Sequence, residues 1–321
     1  MFEENYDLYG LVSFKLVKNS KGLDLLKRTN LEYEYFKAKQ TINPDFMIIV
    51  DGKDKNIKIH GIESKGTIVN FSARLSGLRR LIPYSALRNL YVRPLLFLKL
   101  IRKKACLIHA SAAALNDGAY LFIGKAGSFK TSILTELIKN HSAQYIGEEN
   151  VMLYNHKAYP FPLNIRSFSY KLKHFIDENP KSTMQKIMLG MNVFFGNSTY
   201  KVQISRPCPV RGVVILSKGK RFSIKKASLS PTIMKTIVKD EKEEISIPPT
   251  HTLSGIKKND FGSRLEYYIK TTPLSELSTL WEDFEGIIRD SLKEACVFTV
   301  TIPLDFEPYI CESIMKEVMQ D

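Results

Sequence analysis

Tyr120-Leu121-Phe122-Ile123-Gly124-Lys125-Ala126-Gly127-Ser128-Phe129-Lys130-Thr131-Ser132 passes from an apolar run, through a loop with two glycines, into a stretch of helical character. Ala119 to Ile123 has the composition of a buried strand, and Thr131 to Lys139 that of a helix. A glycine loop that leaves a strand and opens a helix is the setting a polyphosphate requires, because backbone N–H groups and the positive helix end then face one anion. In that setting Gly124, Ala126, Gly127, Ser128, Phe129, Lys130, Thr131 and Ser132 form a nucleotide cradle. Lys130 would pair with the β- and γ-phosphates of such a ligand, and the Thr131 hydroxyl would complete a Mg²⁺ shell. One position departs from the usual pattern. Phe129 stands where glycine commonly precedes the lysine, and a side chain at positive φ costs on the order of 1 kcal/mol or more.

Working outward, Ala105 to Leu115 reads as one strand, and Asn116-Asp117-Gly118 is a hairpin turn that leads into the strand before the loop. Downstream, a strand ending at Tyr145-Ile146 delivers the acidic pair Glu148-Glu149, followed by a strand Val151 to Tyr154. Val210 to Ser217 reads as a buried strand. A helix is expected from Thr272-Pro273 through Ile288, then a strand Cys296 to Ile302 and a last helix Glu307 to Met319. Strands and helices alternating about a glycine loop predict an α/β domain.

The chain has 321 residues, 44 % hydrophobic and 25 % charged, which suits about two globular domains. Upstream, Leu11 to Val17, Phe46 to Val50, Ile57 to Ile62 and Gly66 to Phe71 predict a small antiparallel sheet, with a helical stretch near Leu23 to Lys39. Pro83 breaks that pattern. Tyr84 to Lys103 predicts a helix with one apolar stripe, basic flanks and a bend at Pro94. The expected division is residues 1–95, an accessory, substrate-selecting α+β domain, and residues 96–321, the nucleotide-binding domain.

The net charge of +14 is unevenly placed. No acid lies between Glu63 and Asp117, while ten Lys and Arg residues do; from Trp281 to Asp321, ten acids face three basic residues. Such polarity steers anionic ligands or docks one copy on another. A basic amphipathic helix also suits an anionic membrane surface, but core packing is the commoner use of its stripe. No nucleic-acid module accompanies the basic segment, so no nucleic-acid partner is expected. The longest apolar stretch, Pro94 to Ile101, is too short for a transmembrane segment, and the acidic start lacks a secretory pattern, so a cytoplasmic location is expected. Cys106, Cys208, Cys296 and Cys311 have no metal-ligand spacing and read as reduced packing residues. The histidines lack ligand spacing, and no G-x-S-x-G element supports a serine hydrolase.

Leu107-Ile108-His109-Ala110-Ser111-Ala112, the hairpin, the glycine loop, Ile146-Gly147-Glu148-Glu149-Asn150-Val151, Tyr159-Pro160-Phe161-Pro162-Leu163-Asn164-Ile165-Arg166 and Pro207-Cys208-Pro209-Val210-Arg211-Gly212 together resemble, in order and spacing, the HPr kinase/phosphorylase-like domain. That fold is shared with phosphoenolpyruvate carboxykinases. The resemblance covers about residues 105 to 321; the family's Asp-Asp is Glu-Glu here. It implies ATP- and Mg²⁺-dependent phosphorylation of a hydroxyl, usually that of serine, in a peptide or small molecule. By the same resemblance Glu148 is the general base, Glu149 holds Mg²⁺ together with Thr131, and His109 tunes the base. Arg166 and Arg211 contact phosphate or acceptor, and the chain forms a homo-oligomer. A nucleotide-binding scaffold without catalysis and a basic docking protein are the competing expectations.

Overall fold

The computed structural model describes residues 2–18, 33–39, 43–51, 56–64, 67–74, 92–163, 165, 168–169, 172, 201–246, 279–304 and 307–319. These form a mixed α/β protein in two compact units interleaved along the chain: residues 1–104 with 242–284, and residues 105–241 with 285–321. No helix among the described residues is long and apolar enough to cross a membrane.

The first unit carries a six-stranded sheet among the described residues. Its strands are β1 (Phe2–Leu8), β2 (Val12–Lys18), β3 (Lys37–Ala38), β4 (Phe46–Asp51), β5 (Asn56–Ser64) and β6 (Thr67–Arg74), in the order β3-β1-β2-β4-β5-β6. Period-two alternation buries Tyr6 and Leu8 on β1 and Val12, Phe14 and Leu16 on β2. Register then stacks aromatic rings across three strands: Tyr6 on Phe14 at 4.7 Å and Phe14 on Phe46 at 5.0 Å between centroids. The Tyr6 hydroxyl donates to the buried Glu4 carboxylate at 2.7 Å, and burial, with Glu4 beside it, holds the phenol far above its usual pKa.

Two expectations for this unit are corrected. The sheet is not wholly antiparallel, because β2 and β4 run parallel; alternation encodes which face a residue takes but not strand direction. Of the helical stretch near Leu23 to Lys39, residues 33–39 form only a single 3-10 turn, Glu34–Phe36, followed by β3. Residues 23–32 lie outside the described residues.

Helix α1 (Arg93–Arg102) has Pro94 in its first turn, where a missing N–H costs no intrahelical bond; the expected residues 84–91 lie outside the described residues. Its apolar residues, Leu95 to Leu98, Leu100 and Ile101, are all buried, and the Phe97 ring meets Trp281 and Phe284 at 5.1 Å each. This apolar surface is part of a core.

The second unit contains β7 (Ala105–Ile108), β8 (Ala110–Leu115), β9 (Gly118–Ile123), helix α2 (Lys130–Asn140), β10 (Gln144–Gly147), β11 (Val151–Tyr154), β12 (Lys157–Tyr159), β13 (Cys208–Lys218) and β14 (Ser223–Ala227). Helix α3 (Pro231–Ser246) begins in this unit and α4 (Leu280–Ser291) ends in it, followed by β15 (Cys296–Ile302) and α5 (Pro308–Val318). Residues 272–278, where the fourth helix was expected to start, lie outside the described residues. The strand order is β10-β8-β9-β13-β12-β11-β7, with β15 beside β13 and β14 beside β15.

β8 and β9 pair from Leu115↔Gly118 to Ala110↔Ile123, so the turn is Asn116-Asp117, with φ of 50° and 59°. Two positive φ values in a two-residue turn match the right-handed twist of the flanking strands, and Asn and Asp tolerate them. β13 pairs in parallel with both β9 and β15. On one face Tyr120, Phe122, Val214, Leu216, Phe298, Val300 and Ile302 join Ile133, Leu134 and Leu137 of α2 and Ile310, Ile314 and Val318 of α5 in one core.

The expected single strand Ala105 to Leu115 is broken at His109. β7 pairs with β11 (Ile108↔Val151), whereas β8 pairs with β9 and β10, so the chain changes partners at that residue. An uninterrupted apolar run contains no signal for such a switch, since each half satisfies the same burial pattern.

Candidate functional site

β9 ends at Ile123, and the loop Gly124 to Phe129 leads to Lys130, the first residue of α2. The loop turns through a Ser128 N–H to Lys125 carbonyl bond of 3.1 Å and through two left-handed residues, Gly127 at φ 77° and Phe129 at φ 67°. A Cβ on Gly124 would stand 2.7 Å from both the Leu216 carbonyl oxygen and Ser128 Oγ, so the loop lies directly against the end of β13. Phe129 is the N-cap of α2, and no side chain caps that helix end. The N–H groups of a first turn have no intrahelical acceptors, and here they coincide with the end of a parallel strand.

Lys130 is buried, and its ammonium donates to the Gly124 carbonyl and, at 3.1 Å, to the Lys125 carbonyl. A positive charge is thereby held inside the turn. The Thr131 hydroxyl donates to Glu148 Oε1 at 3.3 Å, and Glu148 is buried at 6 % exposure. Its position is fixed from below by the Ser111 hydroxyl, which donates to the Glu148 carbonyl at 2.6 Å. Gly147 permits the tight turn at the end of β10, because a Cβ there would collide with the Asn150 carbonyl oxygen. The buried Tyr145 phenol is pushed well above its usual pKa, first by burial and then by the Glu148 and Glu149 carboxylates. Ser128 Oγ is buried with no hydrogen-bond partner.

His109 lies at the same end of the sheet, since the next residue, Ala110, pairs with Ile123 immediately before the loop. Its backbone N–H donates to Glu241 Oε2 at 2.9 Å; Glu241, on α3, is 1 % exposed. Burial, and then Glu241, push the Cys106 thiol up.

Of the sequence-predicted residues, the fold therefore brings together His109, Gly124, Ala126, Gly127, Ser128, Phe129, Lys130, Thr131, Ser132 and Glu148. Glu149 directly follows Glu148 and is exposed. Arg211 is not brought there. It lies between Val210, paired with Ala119, and Gly212, paired with Tyr120, and its side chain would meet a Cβ on Gly118. At about 3.3 Å per residue this is roughly 15 Å from the loop, because β13 is parallel to β9 and enters the sheet at the hairpin end. Arg166 lies outside the described residues.

Sequence patterning does not single out Glu241 or Lys218. Glu241 is separated from its partner by more than a hundred residues and lies in no motif. Lys218 ends β13, and its ammonium stands 3.4 Å from where a Gly127 Cβ would be and 5.3 Å over the Phe129 ring. A lysine closing an apolar strand was the available signal; the direction of that strand was not.

A carboxylate and a hydroxyl at 3.3 Å are hard oxygen donors of the kind that hold Mg²⁺ when substrate phosphates and water complete its shell. With the orphaned Ser128 hydroxyl, the buried lysine and the uncapped helix end, the residues fit a metal-bound polyphosphate. No family model matches the chain, and no curated protein matches it.

Proposed function

We propose that the second unit is an HPr kinase-like domain that binds ATP with Mg²⁺ at residues 124–132 and transfers a phosphoryl group to a hydroxyl, with a serine-bearing peptide or small molecule as acceptor. The observation that carries this reading is the convergence of Lys130, Thr131 and Glu148 at the mouth of an uncapped helix. The hairpin feeding the loop, the strand break at His109 and the acidic turn after β10 support the same reading.

Phosphoryl transfer asks a protein chiefly for positioning and charge neutralisation. Lys130 and the first turn of α2 bind and orient the phosphates. Thr131 and Glu148 hold the metal, which when bound offsets negative charge on the phosphates. Glu149, one residue on and exposed, is then the carboxylate available to take the acceptor's proton, a different division of labour from the one the resemblance implies. His109, whose backbone N–H donates to Glu241, lies at the same end of the sheet.

A nucleotide-binding scaffold without transfer is the second reading, and the observation behind it is a phenylalanine at a left-handed loop position where glycine is the residue without steric cost. ATP turnover with phosphate-transfer mass spectrometry against free serine and serine peptides separates the two. A phosphorylated serine is expected. ATP binding without any phosphorylated product supports the scaffold, and no affinity at millimolar nucleotide overturns both.

A further inference from the structure

Lys218 and Phe129 form a pair that the proposed reaction does not yet use. Lys218 is the last residue of β13, and the chain leaves the strand at once, with the Gly219 N–H donating to the Ile302 carbonyl at 2.9 Å. The strand's direction carries the lysine to the same end of the sheet as the loop. Its ammonium stands beside the open face of Gly127 and over the face of Phe129. The Phe129 backbone is left-handed at φ 67°, ψ 16°, a conformation that glycine adopts without cost and a phenyl-bearing residue does not. Contacts of the ring must offset that cost. They are of two kinds: packing against the core shared by α2, β9 and β13, and the lysine over the ring's electron-rich face.

We propose that Lys218 is a second phosphate-binding cation of the loop, and that Phe129 is a positioning residue whose ring holds the ammonium beside Gly127. This rests on the nucleotide-binding reading above and assigns to that site a specificity for polyphosphate over monophosphate. Lys130 projects from the helix start and Lys218 from the neighbouring strand, so the two charges flank the loop from different elements. A ligand with two or three linked phosphates engages both; a monophosphate engages one. The departure from glycine at position 129 acquires a physical reason: the ring restricts a long flexible side chain that would otherwise sample solvent.

The test uses the full chain, with calorimetric affinities for ATP·Mg²⁺, AMP and inorganic tripolyphosphate. Lys218→Met keeps the stem and removes the charge. It is expected to weaken ATP·Mg²⁺ and tripolyphosphate about tenfold and AMP by less than twofold, with Lys218→Arg restoring most of the loss. Phe129→Gly is expected to reproduce part of that loss, Phe129→Tyr to retain affinity, and Lys218→Met on the Phe129→Gly background to cost less than on the parent, because the pair acts as a unit. Thermal melts that match the parent's exclude misfolding as the cause. If Lys130→Ala abolishes binding while Lys218→Met leaves ATP·Mg²⁺ and tripolyphosphate unchanged, the Lys218 assignment falls and the nucleotide site stands. If the parent binds neither ATP·Mg²⁺ nor tripolyphosphate, both fall.

Discussion

The two ends of strand β9 are both tight turns with two residues at positive φ, and they are made differently. At the hairpin end the positions are Asn116 and Asp117, whose short polar side chains tolerate the left-handed region. At the loop end they are Gly127 and Phe129, one tolerant and one not. The hairpin end reverses the chain at little conformational cost. The loop end brings strain, a buried lysine, a buried carboxylate and an orphaned hydroxyl to one place in the fold. The hairpin turn only reverses the chain between two strands, whereas the loop joins a strand to a helix and is the site of the proposed nucleotide binding.

If the contrast is right, changes at the loop end act first on ligand binding, and changes at the hairpin end act on stability alone. The largest effect is expected from Lys130→Ala, which should lower ATP·Mg²⁺ affinity more than a hundredfold by calorimetry with a near-parental melt; retention of affinity would break the comparison. Next, Glu148→Gln keeps the shape and removes the charge beside Thr131. It should reduce phosphate transfer at least a hundredfold in a turnover assay while altering nucleotide-only affinity, measured without Mg²⁺, less than threefold. Gly124→Ala places a methyl 2.7 Å from the Leu216 carbonyl and should cost about 2 kcal/mol in denaturant unfolding, together with nucleotide binding.

The core between the two ends supplies a pH test. Cys311 is buried, and its thiol is pushed up to about 12, first by burial and then by Glu136 and Glu312. In the unfolded chain the same thiol ionises near its ordinary 9, so between those values the unfolded state holds fewer protons than the native one. Its contribution is fully present below pH 9 and is lost as pH rises, by up to about 1.4 kcal/mol per pH unit, so unfolding midpoints should fall steeply above pH 9 and less so in Cys311→Ala. The smallest effect belongs to the hairpin: Asp117→Gly should move stability by less than about 1 kcal/mol and leave ATP affinity unchanged.

Much of the loop end was legible because its signals are local. Glycine spacing, the apolar run of β9 and the periodicity of α2 fall within about twenty residues, and Asn116-Asp117-Gly118 specifies its own turn. Cys296 to Ile302 is a strand with the expected bounds. What was not legible depends on pairing between distant strands. The parallel β2–β4 pair, the change of partners at His109 and the direction of β13 leave no trace in alternation. The direction of β13 removes Arg211 from the loop and delivers Lys218 to it. Glu241 reaches the site as a single buried carboxylate from a helix far along the chain.

The hydrogen bonds that build the site differ in the length of chain they close. Ser111 to Glu148 spans 37 residues, and His109 to Glu241 spans 132. Loop-closure entropy rises with the logarithm of span, which makes the longer closure harder by about 1 kcal/mol. During synthesis the hairpin, the glycine loop, α2 and the acidic turn emerge as one contiguous block, whereas β13 and α3 follow later. The site thus has an order of assembly. The glycine loop and the acidic turn belong to the early, low-contact-order part of the domain, and the elements bearing Lys218 and Glu241 dock on it later.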